Sequence, residues 1–312
     1  MKEIPHLWQT PFGRFIGSTE EAGDARVVLL GAPFDSTTCF RPGTRNGPRE
    51  IRYYSYNLEE YSIELDRELE PGFFFDAGDL ELPFGNAARA LDAIEEAVST
   101  ILESGKTPVI LGGEHLISGG VARAIARHEP GAVILHIDAH YDLRVEYMGE
   151  ELSHATALNV CRDALGITPG TDDEDDTPRH VQMGIRSGPR SEALFAREHI
   201  PQLFPEDITE LRDEIAALSE MWAGKKVYCT FDIDAIDPAY APGTGTPEAG
   251  GLSSRQALEI MRLLPTSFDL IAVDIVETNP TLDASGITCS LVAKMVRELL
   301  IAMQDTTEDE NV

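Results

Sequence analysis

Short apolar runs alternate with stretches of helical spacing along almost the whole chain. Residues 25–31, 73–79, 107–111, 131–137, 181–186, 225–231 and 269–276 are brief and rich in β-branched or aromatic side chains, so they predict strands. Residues 87–104 place Leu91, Ile94, Val98, Ile101 and Leu102 along one side of a helix. Residues 119–128, 211–222, 253–264 and 291–303 predict further helices, with Ser253 or Ser254 capping the one at 253–264. This alternation implies parallel strands joined by crossover helices. The expected class is α/β: a single three-layer α/β/α domain over 1–312, with a mostly parallel sheet covered on both faces. No linker divides the chain and no internal repeat is found. The acidic run Thr171-Asp-Asp-Glu-Asp-Asp-Thr reads as a solvated loop, because it lacks the Gly and terminal Glu spacing of a calcium loop. Residues 305–312 read as a frayed tail.

Chemistry concentrates where the strands end. Asp138-Ala-His140-Tyr-Asp142 closes the run at 131–137, and Asp232-Ile-Asp234 closes the run at 225–231. Alternate residues of a strand point the same way, so each cluster converges on one face. Carboxyl ends of strands are also where open α/β sheets build their sites. Gly112-Gly-Glu-His115 follows another strand in the same way. His115, Asp138, His140, Asp142, Asp232 and Asp234 supply four carboxylates and two imidazoles, and two divalent cations would balance the four aspartates. Such donors suit Mn(II), with Co, Ni, Fe or Zn also possible. Glu114 reads as structural. Ser153-His154-Ala-Thr156 and Val273-Asp274-Ile-Val-Glu277-Thr-Asn-Pro280 add further ionisable groups. Singly, each Asp would be a turn or cap residue and each His an interior or loop one. Recurrence at successive strand ends is what argues for a site.

Composition narrows the partners. With 25 basic and 54 acidic residues the net charge is −29, which disfavours nucleic acid and weakly favours a cationic substrate. Adaptation of the surface to salt, temperature or solubility explains the same excess more simply. No stretch of about eighteen apolar residues is found, so no membrane span is expected. The N-terminus shows no secretory pattern, and Cys39, Cys161, Cys229 and Cys289 are scattered, so a cytoplasmic location is expected.

The motifs GGEH (112–115), DAHxD (138–142), FDIDxxDPAxAPGTGTP (231–247) and VETNP (276–280) resemble the ureohydrolase family, to which arginase belongs. Phe40-Arg-Pro-Gly-Thr-Arg-Asn-Gly-Pro-Arg-Glu-Ile-Arg52 and Phe75-Asp-Ala-Gly-Asp79 extend the resemblance across nearly the whole chain. It implies an arginase-like fold and two Mn(2+) per subunit. His115 and Asp142 would hold one ion, His140 and Asp234 the other, with Asp138 and Asp232 bridging. It further implies that Glu277 pairs with a substrate guanidinium. Asp142 would pass a proton from a metal-bridging hydroxide to the departing amine, and His154 would relay protons to solvent. Thr246, Thr230 and Asp274 would support the site. The implied partners are a small cationic guanidino substrate and further copies of the chain, as a trimer or hexamer.

Arginases carry an Asn two residues past the last Asp of DAHxD, and an SxN segment before the loop His, to grip an α-carboxylate. Here Arg144 and Glu151-Leu-Ser153 stand instead. Agmatine, which has no carboxylate, is therefore the expected substrate, giving putrescine and urea. Arg144 could alternatively welcome an acidic substrate such as guanidinobutyrate or formiminoglutamate. Its simpler role is a surface salt bridge with Glu146 or Glu150. Guanidinase and arginase activities are the remaining alternatives.

Overall fold

The computed structural model describes residues 13–168 and 177–305, so residues 171–176 of the acidic run and the tail beyond 305 lie outside them. The strands are β1 (Val27–Ala32), β2 (Tyr61–Ser62), β3 (Arg67–Glu68), β4 (Phe74–Asp79), β5 (Thr107–Gly112), β6 (Val133–Ile137), β7 (His180–Met183), β8 (Gln202–Leu203), β9 (Lys226–Asp232) and β10 (Asp269–Val276). β2 and β3 form a small antiparallel pair. The other eight form one sheet in the order β4-β1-β5-β10-β9-β6-β7-β8, with every neighbouring pair parallel. All eight therefore end on the same edge.

The helices are α1 (Gly47–Ser55), α2 (Ala87–Glu103), α3 (Ile117–His128), α4 (Ala157–Ala164), α5 (Arg190–His199), α6 (Ile208–Met221), α7 (Ser254–Ser267) and α8 (Ile287–Asp305). Successive strand residues feed opposite faces. Leu135, Cys229 and Val273 join Ile51, Ile215, Ile260 and Val296 of α1, α6, α7 and α8 in one apolar layer. Ile134, Tyr228 and Ala272 join Leu91, Val121 and Leu158 of α2, α3 and α4 in the other. The result is the expected three-layer α/β/α architecture. Among the described residues no helix is long and apolar enough to cross a membrane.

Local chemistry moves several boundaries. β7 ends at Met183, short of the expected 186, because Gly184 turns the chain at φ 89°. α6 begins before 211 because the Asp207 side chain accepts the Thr209 and Glu210 amides. Ser253 is the cap of α7, closing a reciprocal box with Gln256, and the helix runs past 264 to Ser267. Helices α1, α4 and α5 run for only 9, 8 and 10 residues and were not read from the sequence; α5 buries only Glu192 and Ala196.

The upstream motifs acquire a physical reason. Arg52 on α1 is buried, and its Nε and Nη2 donate to Asp76 on β4 at 2.7 and 2.9 Å, with a further bond to Asp79. Two carboxylates around one guanidinium anchor α1 against the sheet edge.

Candidate metal centre

Four neighbouring strands, β5, β10, β9 and β6, deliver the site. Ile137 pairs with Phe231, and Asp232 with Val276, so Asp138, Asp232 and Glu277 emerge almost level. His115 arrives after β5 through the Gly112-Gly113 turn. A Cβ on Gly113 would lie 1.9 Å from the Phe34 carbonyl oxygen, so only glycine lets the two backbones approach. Asp142 and Glu277 adopt φ of 51° and 63°, left-handed conformations that cost a side-chain-bearing residue energy and cluster at functional sites.

The structure brings all six expected ligands together. His115 Nδ1 lies 3.1 Å from Asp138 Oδ2, 3.2 Å from Asp142 Oδ2 and 3.3 Å from Asp232 Oδ2. His140 Nδ1 lies 3.0 Å from Asp234 Oδ2 and 3.6 Å from Asp138 Oδ1. Asp138 thus gives one oxygen to each group. Asp232 keeps Oδ1 on the Asp234 amide at 2.8 Å.

Hydrogen bonds fix what His115 offers. The Thr230 hydroxyl donates to Asp274 Oδ1 at 2.6 Å, so it accepts from His115 Nε2–H at 2.9 Å. That leaves Nδ1 as a bare lone pair, buried and without a hydrogen-bond partner, facing three carboxylate oxygens. Like charges and lone pairs so arranged need a cation between them. For an octahedral ion with ligands near 2.1 Å, adjacent donor atoms sit about 3 Å apart, which matches these separations. The donor set therefore fits divalent metal.

Without an ion, the carboxylates draw protons onto the imidazoles. Burial opposes a charged His140, yet Asp234 and Asp138 push it up to about 12, and His115 is likewise raised by Asp138, Asp142 and Asp232. Burial, Asp234 and Asp138 together hold Asp232 well above the usual carboxylate range. A bound cation takes over the role of those protons and requires neutral imidazoles.

One supporting residue escaped the sequence reading. Gln202 donates to Gln182 Oε1, so the Gln182 amide nitrogen faces His136 Nδ1 at 2.9 Å and must donate to it. His136 Nε2–H then donates to Asp138 Oδ2 at 2.7 Å. Both ring nitrogens are engaged, so His136 orients Asp138 and does not itself ligate. The alternation of a strand, two residues before Asp138, was the available signal.

A cavity of about 160 Å³ opens over the cluster, lined by Asp142, Asp232, Asp234, His140, His154, Thr246 and Glu277, and also by Cys39, Arg144, Tyr147 and Glu192. Glu277 accepts the His115 amide at 2.8 Å, and burial beside Glu114 raises it well above the normal range. Thr246 donates to Asp234 Oδ2 at 3.2 Å. His154 Nδ1–H donates to the Thr37 carbonyl at 2.9 Å, leaving Nε2 as an acceptor, and burial lowers the pKa of this imidazole. Glu114 ties down Thr37 and Thr38, which matches its structural reading; burial pushes it up to about 7. Arg144 does not pair with Glu146 or Glu150. It stacks 4.5 Å over the Tyr147 ring, because the loop turns its guanidinium toward the cavity wall.

The arginase family model matches residues 25–302. The chain belongs to the arginase family. An agmatinase from Bacillus anthracis is 45% identical over 289 residues, covering 92% of this chain and 95% of that protein. A guanidinobutyrase from Pseudomonas aeruginosa is 35% identical over 311 residues, covering 97% and 91%. Among solved structures, the agmatine ureohydrolase of Thermoplasma volcanium gives a TM-score of 0.83 at 30% identity, covering 96% of each chain. Family membership makes this chain a ureohydrolase-type enzyme.

Thr230 offers a test of the support for His115. Thr230→Val keeps the shape and removes the hydroxyl that fixes the His115 tautomer. It is expected to weaken metal binding by roughly 10–100-fold, read by metal titration of the apoprotein. An unchanged affinity would show that the His115 ring is held by packing alone.

Proposed function

We propose that the chain hydrolyses agmatine to putrescine and urea at a centre holding two Mn(2+). The arrangement that carries this reading is a buried carboxylate, Glu277, beside two convergent groups of metal donors in one small cavity. His115, Asp138, Asp142 and Asp232 would hold one ion, and His140, Asp234 and the second oxygen of Asp138 the other, with Asp232 as a further bridge. Bound there, the cations would acidify water at neutral pH and offset charge developing at the guanidinium carbon.

The chain's own groups do the rest. Glu277 pairs with the guanidinium and fixes its plane against the donors. Asp142 accepts the proton of the attacking water and returns it to the departing amine. His154 Nε2, directed by the Thr37 carbonyl on its other nitrogen, exchanges protons with solvent. One C–N bond breaks, water supplies the oxygen of urea, and the amine leaves protonated. The same reading makes the chain a cytoplasmic homo-oligomer, trimer or hexamer, serving putrescine formation.

Similarity to agmatinases, and the absence of an asparagine grip for an α-carboxylate, favour agmatine. A second reading rests on Arg144, whose guanidinium lines the cavity and would attract the carboxylate of guanidinobutyrate. Urea release from agmatine, guanidinobutyrate and arginine, with manganese supplied, separates the two. Agmatine is expected to lead by at least about tenfold in kcat/KM, equivalent to ~1.4 kcal/mol of transition-state binding. Faster turnover of guanidinobutyrate would replace the first reading with the second.

A further inference from the structure

Arg186 stands just past β7, where Gly184 has turned the chain out of the sheet. It is half-buried, and a guanidinium carries five N–H donors in one plane. Here every donor meets a main-chain carbonyl. Nε donates to Ala249 at 3.2 Å, and Nη1 to Gly184 at 3.1 Å and Ala235 at 3.2 Å. Nη2 donates to Asp234 at 2.6 Å and to Glu248 at 2.7 Å. Those carbonyls belong to three separate pieces of chain: the exit of β7, the turn Ile233–Ala235 and the loop that follows Thr246. Gly251 leaves the guanidinium its space. A Cβ there would lie 2.6 Å from Arg186 Nη2 and 2.5 Å from the Ala235 carbonyl oxygen.

These bonds hold one of the two donor groups. The backbone amides of Arg186 and Ser187 both donate at 2.9 Å to the carbonyl of Ala139, which lies between Asp138 and His140. The Arg186 side chain takes the Asp234 carbonyl, while Asp232 Oδ1 takes the Asp234 amide at 2.8 Å. Both ends of Asp234 are therefore fixed. Its Oδ1 accepts the Ala139 amide at 3.1 Å, which leaves Oδ2 facing His140 Nδ1 at 3.0 Å. A single residue thus ties the segment carrying His140 to the segment carrying Asp234. Among the described residues, its hydrogen bonds reach neither His115 nor Asp142.

We propose that Arg186 is a positioning residue for the ion at His140 and Asp234: its guanidinium sets the spacing of these two ligands, and so the affinity of that ion and not of the other. The assignment rests on the two-metal reading given above. Ligands already held at the right separation need not be ordered when an ion arrives, and losing such support weakens metal affinity by roughly 10–100-fold. Lysine carries its donors on one atom and cannot serve five carbonyls spread around a plane, and methionine carries none.

Manganese titration of the apoprotein, followed by calorimetry and electron paramagnetic resonance, tests it. The unmodified chain is expected to take up two equivalents. Arg186→Lys is expected to keep the first at unchanged affinity and to bind the second roughly tenfold more weakly, and Arg186→Met roughly a hundredfold. At the manganese concentration that fills the unmodified chain, the resonance of a coupled pair should give way to that of an isolated ion. Arg186→Lys keeps the charge and the aliphatic stem, so it decides the matter where Arg186→Met does not fold. Two results would overturn the role of Arg186 and leave the two-metal reading standing. One is equal weakening of both equivalents in Arg186→Lys. The other is full affinity for both, with only the unfolding midpoint lowered. An unmodified chain that binds a single equivalent would sink the assignment and the two-metal reading together.

Discussion

Asp138→Asn is expected to lower kcat/KM by at least about 10³-fold and to leave less than one equivalent of manganese per chain. The size follows from how its two oxygens are used. Oδ2 faces the His115 group and accepts from His136 Nε2–H at 2.7 Å; Oδ1 faces the His140 group and accepts the His140 amide at 2.6 Å. An asparagine can keep only one of these acceptors. Its amide nitrogen must face a donor, at a site that is fully buried, so one bond is replaced by a repulsion. Either orientation also removes the whole charge of Asp138, one of the four carboxylates in the two donor groups. The measurements are steady-state urea release and metal analysis after dialysis. Full metal content with normal turnover would sink the dinuclear reading.

The sheet and the cluster of candidate ligands at its edge were legible because both obey short-range rules. Runs such as 131–137 are apolar on both faces, as a buried parallel strand must be, and Asp138 and Asp232 follow them at once. Parallel pairing then brings residues nearly a hundred positions apart level, as Ile137 and Phe231 are. What was not legible depends on partners that no local pattern names. His136 read as one more strand residue until Gln202 and Gln182 fixed its tautomer. The left-handed turns at Asp142 and Glu277 carry side chains that ordinarily avoid that conformation, so sequence offers no signal for them. Arg144 read as a surface ion-pair partner because Glu146 and Glu150 are near in sequence; the ring of Tyr147 is nearer in space.

Glu277→Gln is expected to lower kcat/KM by roughly 10²–10³-fold while leaving two equivalents of manganese bound, which sets it apart from Asp138→Asn. The glutamine carbonyl can still accept the His115 amide that Glu277 accepts at 2.8 Å, and the backbone at φ 63° is unchanged in kind. The damage is confined to the other position, where an amide nitrogen replaces the oxygen offered to the substrate. Two donors, amide and guanidinium, then meet in a buried cavity, and the cation loses its counter-charge. Because burial and Glu114 make ionised Glu277 costly on its own, a guanidinium paired with it would stabilise it, so on the proposed reading the loss falls on substrate binding and on orientation together. KM is therefore expected to rise and kcat to fall, with metal content and the unfolding midpoint unchanged. A variant that lost metal instead would move Glu277 from the substrate to the ligand set. A variant with unaltered KM and kcat would remove it from the site's chemistry altogether.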